Sequence, residues 1–360
     1  MTKPPTLNDV AKAAKVSRSL ASLVFQNSTK VSENSRQAVL RAADKLGYQP
    51  NESARRLKSN KTSTIGVVLT DIHNPYYGEI FYGVEEASSK SEYKLLIGNS
   101  GFETDEENRI IEKVTQSQVE TIQTLRSQMI DGLICSSVST TPEELTAASR
   151  GLPVVLIGHT SASLTKKFDV VSTDENYAAE KIIGHLTELG HERIAHISGG
   201  KEEGPAKRTK AYLSQMKKFQ LSSHAQVLEG NWTETAGYDN TEILLNQKFP
   251  PTAIYAASDL IAAGVLSKLR ERNLRVPEDI SVVGYDDSTF AKLRIANLTS
   301  VREPLHEMGI IGFNRLIELI QKEGSSKELK NIKIKPELKV RGSTARVKNT
   351  RNRRQSMKSS

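Results

Sequence analysis

Cysteine is nearly absent from this chain: Cys135 is the single one among 360 residues. One thiol excludes an internal disulfide framework and any site built from several cysteines. It lies in the apolar run "DGLICSS", so it reads as a buried structural thiol. Aromatics are scarce too, at 5%, with one tryptophan. No run approaches the length of about 18 apolar residues that a membrane span needs. The opening "MTKPPTLNDV" lacks the apolar centre of a signal peptide. These absences give the expectation of a cytoplasmic protein with no membrane partner. No nucleophile elbow, Gly-rich phosphate loop or metal-ligand cluster occurs. His185, His191 and His196 do not share a helix face. No enzyme, catalytic residue, metal or cofactor is therefore expected.

What is present is charge, unevenly spread. Residues 1–62 carry 12 Lys/Arg against 4 Asp/Glu, and residues 346–360 carry 6 basic residues and no acid. Taking +8 and +6 from the net charge of +8 leaves −6 for the remainder. A basic head on an acidic body points to a polyanion partner for the head alone.

The head, residues 1–49, reads as three short helices. Thr6, Ser17 and Ser32 are N-cap candidates, with Asp9 three residues after Thr6. Leu7, Val10, Ala11 and Ala14 keep helical spacing in the first helix. Leu20, Ala21, Val24 and Phe25 do so in the second, and Val39, Leu40, Ala43 and Leu46 in the third. Gly47 suits the last helix's stop. Helix, short turn and helix form the helix-turn-helix plan, in which the start of the second helix meets base edges in the major groove. On that plan Ser17, Arg18, Ser19 and Ser22 face DNA, with Arg18 able to fork onto guanine. Asn27 and Lys30 reach the same groove. Thr6, Ser32 and Arg36 hold phosphates.

The stretch "TLNDVAKAAKVSRSLASLVFQNSTKVSENSRQAVLRAADKLGYQPNESARRLK" resembles the DNA-binding head of the lactose-repressor (LacI-type) family. Lys15 departs from it, standing where Gly or Asn is usual in the inter-helix turn. Leu20, Ala21 and Leu23 also differ, which leaves the operator sequence open. Residues 50–62 contain "PNESARRLK", enough for about two helical turns, a length marginal in water without a partner. The resemblance makes this the hinge helix. Two such helices from a homodimer would meet in the minor groove of a pseudo-palindromic operator, with Leu57 wedged between base pairs. Ala54 would allow close approach, and Arg55 and Lys58 would meet phosphates.

From residue 63 to 343 short apolar runs alternate with amphipathic helices. The runs are "TIGVVLTD", "KLLIGNS", "DGLICSS", "PVVLIGH", "DVVSTD", "RIAHISG", "TAIYAASD" and "ISVVGYDD". Strand–helix alternation predicts an α/β fold of two doubly wound parallel-sheet subdomains behind the all-α head. The expected division is roughly 63–162 with 292–325, and 163–291 with 326–343. Many strands end on polar residues, where open parallel sheets bind ligands. "IGVVLTDIHNPYYGEIFYGVEEA", "LRVPEDISVVGYDD" and "LTSVREPLHEMG" resemble the same family's core, which is periplasmic-binding-protein-like.

That resemblance implies an effector site of Tyr76, Tyr77, His159, Arg208, Trp232, Ser258, Asp259 and Asp286. It also implies a small-molecule effector, expected to be a sugar. Structural alternatives stay open. Trp232 could be a core ring and the tyrosines packing groups, Asp259 could cap a helix, and Arg208 could pair with Asp286. Glu202 and Glu203 replace the family's usual hydroxyl or cationic residues, which favours a neutral polyol. The helix read over 106–128 exceeds the family norm. Residues 344–360 are expected to be a disordered basic tail. The reading is thus a transcription regulator, with a repressor expected. A solute-binding protein and a regulator controlled by a partner protein are the alternatives.

Overall fold

In the computed structural model the described residues are 5–25, 28–48, 62–72, 74–101, 110–201, 203–321 and 328–347. The chain divides into two compact units, Met1–Thr62 and Ser63–Ser360.

The head holds α1 (Leu7–Ala13), α2 (Arg18–Phe25) and α3 (Glu33–Leu46). Thr6 closes a capping box, its hydroxyl accepting from Asp9 N while the Asp9 carboxylate accepts from Thr6 N at 2.9 Å. Ser17 and Ser32 accept from Leu20 N and Ser35 N. Each such cap stabilises a helix by about 1 kcal/mol. Gly47 adopts φ 63°, and Lys15 turns the chain at φ 54°. Val10, Ala11, Ala21, Val24, Val39 and Ala43 form the core. Leu40 and Leu46, expected inside, are 48% and 39% exposed. The inner stripe of α3 is set by Val39 and Ala43, and Leu40 lies one residue, or about 100°, away from it. Leu46 falls in the last turn, whose neighbours Lys45 and Gly47 are exposed as well.

In the body the first half runs β1 (Thr64–Leu69), α4 (Pro75–Ser89), β2 (Lys94–Asn99), α5 (Ile110–Ser127), β3 (Gly132–Ser136), α6 (Pro142–Ser149), β4 (Val154–Ile157) and β5 (Asp169–Thr173). Next come α7 (Glu175–Glu188), β6 (Ile194–Ile197), α8 (Glu203–Lys218), β7 (Gln226–Leu228), α9 (Glu234–Leu245), β8 (Ala253–Ala256), α10 (Asp259–Glu271) and β9 (Ser281–Tyr285). The chain closes with α11 (Thr289–Lys292), β10 (Thr299–Arg302), α12 (Leu305–Gln321), β11 (Asn331–Ile334) and β12 (Glu337–Lys339).

Two six-stranded sheets result, ordered β11-β5-β4-β3-β1-β2 and β12-β10-β9-β8-β6-β7. All pairs are parallel except β12 on β10. The two orders correspond strand for strand, and each reverses direction at one point: between β1 and β3, and between β6 and β8. A doubly wound sheet opens its ligand crevice at such a switch point. Apolar side chains cover both faces of the first sheet: Ile65, Val67 and Ile134 on one, Val68, Leu133 and Cys135 on the other. Burial pushes the Cys135 thiol up, consistent with a structural residue. Glycines set the closest helix crossings. A Cβ on Gly83 of α4 would lie 1.9 Å from the His306 carbonyl oxygen of α12, and one on Gly264 would lie 1.9 Å from that of Glu234.

The eight strands read from sequence all form, but three boundaries move. β5, expected in the second half, pairs with β4 in the first sheet. β10, expected in the first half, pairs with β9 in the second. β11 joins the first sheet, not the second. The chain thus crosses between sheets after β5, after β10 and between β11 and β12. An apolar strand carries no mark of which of two similar sheets will accept it. β7, β10, β11 and β12 fall outside those eight runs. The tail also begins later than expected. Thr344 bonds His185, Ala345 bonds His191 and Ser281, and Val347 N donates to Leu189 O. Residues 348–360 lie outside the described residues.

Candidate functional site

The head presents Arg18 and Ser19 exposed and Ser22 half-buried in the first turns of α2, and Lys30 exposed in the loop that follows it. Thr6, Ser17 and Ser32 are engaged as caps. Arg36 donates to the Ser28 carbonyl at 2.7 Å and lies 3.9 Å from Glu33, so it clamps the turn after α2. Asn27, Ala54, Arg55, Leu57 and Lys58 lie outside the described residues.

In the body the carboxyl ends of both sheets converge on a chain of flat groups. The Tyr76 ring, from the first turn of α4, stacks on His159 at 6.0 Å. His159, just past β4, lies 6.0 Å from Trp232, which follows β7. Trp232 lies 5.8 Å from the Arg208 guanidinium of α8, and that group lies 3.4 Å over the Tyr285 ring. Tyr77 meets Tyr76 edge-on at 5.1 Å. Tyr76, Tyr77, His159, Trp232 and Arg208 are therefore brought together. Gly158 and Gly199 make this possible, because a Cβ there would strike Tyr76 and Trp232. Several residues at these strand ends hold unfavourable backbone: Ser137 at φ 49°, Trp232 at 65° and Asp286 at 104°. Such strain, of order 1–3 kcal/mol each, clusters at ligand sites.

Arg208 is 1% exposed. Its Nε and Nη2 donate to Glu175 at 3.1 and 2.9 Å, and Nη1 donates to the Ala257 carbonyl. Tyr285 Oη adds a 3.0 Å bond to the same carboxylate. Arg208 therefore pairs with Glu175 and not with Asp286. Burial works against the Glu175 carboxylate, but Arg208 beside it holds it below the usual range. Glu303 lies farther off, with Oε1 3.8 Å from Arg208 Nη2. Burial, only partly offset by Arg208, pushes Glu303 up to about 7. Burial, with Asp259 and Glu303 near, pushes Asp286 well above the carboxylate range. Burial, then the Arg208 charge, drives His159 down to about 4, so its ring is neutral at pH 7.

Ser258 and Asp259 have structural partners. Ser258 caps α10, accepting from Ile261 N at 3.2 Å. Asp259 accepts from Ser288 N at 2.7 Å and from Ser300 Oγ at 2.6 Å. Glu175, Tyr285 and Glu303 are the site residues the sequence reading missed. Glu175 stands two residues past the end of β5 and Glu303 one residue past the end of β10, on the segments that cross between sheets. A polar residue just past a strand end was the available signal, but β10 was not read as a strand. Beside Glu175 that signal selected Asp174, which caps α7 by accepting from Tyr177 N.

Comparison with known proteins agrees with this architecture. Residues 6–51 match the model for bacterial regulatory proteins of the lacI family, and residues 183–344 match a periplasmic binding protein-like domain. The chain is 32% identical to catabolite control protein A of Priestia megaterium, over 88% of this chain and 93% of that one. The lac repressor dimer bound to operator and the anti-inducer ONPF superposes with a TM-score of 0.82, at 25% identity, covering 95% of this chain and all of that one. The complex of the regulator CelR with cellobiose gives 0.65 at 28% identity, covering 94% and 99%.

Proposed function

The chain belongs to the lacI family of bacterial regulatory proteins, DNA-binding transcriptional regulators with a ligand-binding core, and from that premise we propose that a sugar-sized effector in the body's cleft controls its operator affinity. The observation that carries this reading is the row of Tyr76, His159, Trp232 and Arg208 between the carboxyl ends of two parallel sheets. Flat rings stack on the C–H face of a sugar, while carboxylates and a guanidinium meet its hydroxyls. The cellobiose complex of a protein with this fold supports the choice of ligand class.

In this proposal the protein works as a homodimer in the cytoplasm, where the operator lies. Two heads read a pseudo-palindromic site through Arg18, Ser19 and Ser22, and residues 63–343 bind effector and dimerise. The effector alters how the two sheets close, and that decides whether two hinge segments meet over the operator. A full switch from 1:99 to 99:1 needs a preference of about 5.5 kcal/mol between the two arrangements.

The experiment is an operator gel-shift titrated with a sugar panel. At least one sugar should change operator affinity tenfold or more. Arg208→Lys, which keeps the charge beside Glu175 but not the fork, should bind operator normally and lose that response. A variant that still responds fully would relocate the effector site.

A further inference from the structure

A free arginine at the end of a parallel sheet would invite an anion, but Arg208 is not free. Its Nε and Nη2 hold Glu175 in a fork at 3.1 and 2.9 Å, and Nη1 donates to the Ala257 carbonyl. Its Cζ lies 3.4 Å from the centroid of the Tyr285 ring. Tyr285 Oη donates to the same carboxylate at 3.0 Å, so Glu175 is fixed on the fork by hydrogen bonds from two residues. A second acid already borders the cation, with Glu303 Oε1 3.8 Å from Nη2. Lys207, in the neighbouring position, donates to the Thr160 carbonyl at 2.6 Å. Exposure decides which of these groups an incoming ligand meets. The Glu175 side chain is 13% exposed, against 1% for Arg208 and 1% for Glu303. The reachable member is therefore a carboxylate, and the guanidinium is out of reach while the fork is closed.

A ligand carboxylate or phosphate brought to this place would face two acids and one cation already paired. Like charges repel strongly where water is excluded. A hydroxyl meets no such barrier. The two Glu175 oxygens, which can accept about four hydrogen bonds, accept three. Glu303 Oε2 has no hydrogen-bond partner. What the group still offers is acceptors, and these suit an O–H donor without charge. Specificity of this kind is built by exclusion as much as by attraction. We propose that Glu175 is a specificity-determining residue: by occupying the fork of Arg208 it bars acidic sugars from the cleft and leaves it to uncharged polyols. This inference rests on reading the cleft as the effector site and names the residue that sets the charge of the ligand. Removing Glu175 would leave a buried guanidinium without its partner, and a ligand carboxylate could then supply one.

The test is calorimetric titration at pH 7 of the full-length wild type, Glu175→Ala and Glu175→Gln with matched pairs: glucose and glucuronate, galactose and galacturonate, cellobiose and cellobionate. Each neutral sugar that binds the wild type should do so at least tenfold more tightly than its acid. In Glu175→Ala at least one acid should gain tenfold or more in affinity over the wild type. Glu175→Gln keeps the volume and one acceptor oxygen, and carries the same comparison if the alanine variant does not fold. An acid that binds the wild type as tightly as its neutral partner would overturn the proposal and leave the sugar reading standing, and this arm needs no variant. Acid affinity unchanged in both folded variants would overturn it too. If the variants gain an acid while no neutral sugar binds the wild type, the exclusion by Glu175 stands and the sugar reading falls.

Discussion

Arg208 shows how a residue can be singled out from sequence while its partner is not. The family resemblance placed it in the expected effector site, and in the structure its fork is closed on Glu175. Buried histidines make a similar point. His196 lies in β6 with Nδ1 donating to the Tyr255 carbonyl at 3.0 Å and Nε2 without a partner. Burial holds its folded value down to about 3, against 6.5 for the free side chain. The folded state therefore binds fewer protons than the unfolded state between those values. His196 supports full stability above pH 6.5 and withdraws it as pH falls through the window, by at most about 1.4 kcal/mol per pH unit. Urea unfolding of the wild type should weaken between pH 6.5 and 4. His196→Phe, which keeps a flat ring against Tyr255, should show a shallower decline, and equal slopes would remove the argument.

Among elements, the helix pairs are held by absence of side chain. α4 and α12 approach so closely at Gly83 that a methyl group would overlap the His306 carbonyl oxygen. Gly83→Ala must push the helices apart, and overpacking of this kind costs about 1–3 kcal/mol. Thermal unfolding should therefore show a lower midpoint, while operator contacts made by the head are unaltered. An unchanged midpoint would mean that the crossing yields without strain. In the head, spacing and caps exposed all three helices to sequence reading, because Thr6, Ser17 and Ser32 act on their own neighbours. Lys15 stood out only against the family resemblance, where Gly or Asn is usual, and its φ of 54° is the left-handed conformation those residues favour. Edge strands were less visible. β7 and β12 span three residues each, too short to display a period.

At the scale of the whole molecule, charge and leucine carry the predictions. A basic head that displaces counterions should bind duplex with an affinity falling steeply as salt rises. Measured between 50 and 200 mM salt, a flat response would contradict phosphate contact. Leu57→Ala should lower operator affinity tenfold or more and leave ligand binding unchanged, because wedge insertion belongs to DNA alone. Full operator affinity in that variant would remove Leu57 from the mechanism.

The sequence by itself determined what depends on near neighbours: the caps, the helix periods, the apolar strands, the order of elements and the basic head. These follow from forces that act within a few residues, so the chain displays them directly. Only the tertiary structure decided which sheet received β5, β10 and β11, that Arg208 faces Glu175, and that Glu303 is buried with an oxygen unpaired. Those outcomes arise from chain crossings that join residues 33 to 128 positions apart, Glu175 with Arg208 and Glu175 with Glu303. Burial is a property of that assembled interior, and no local pattern records it.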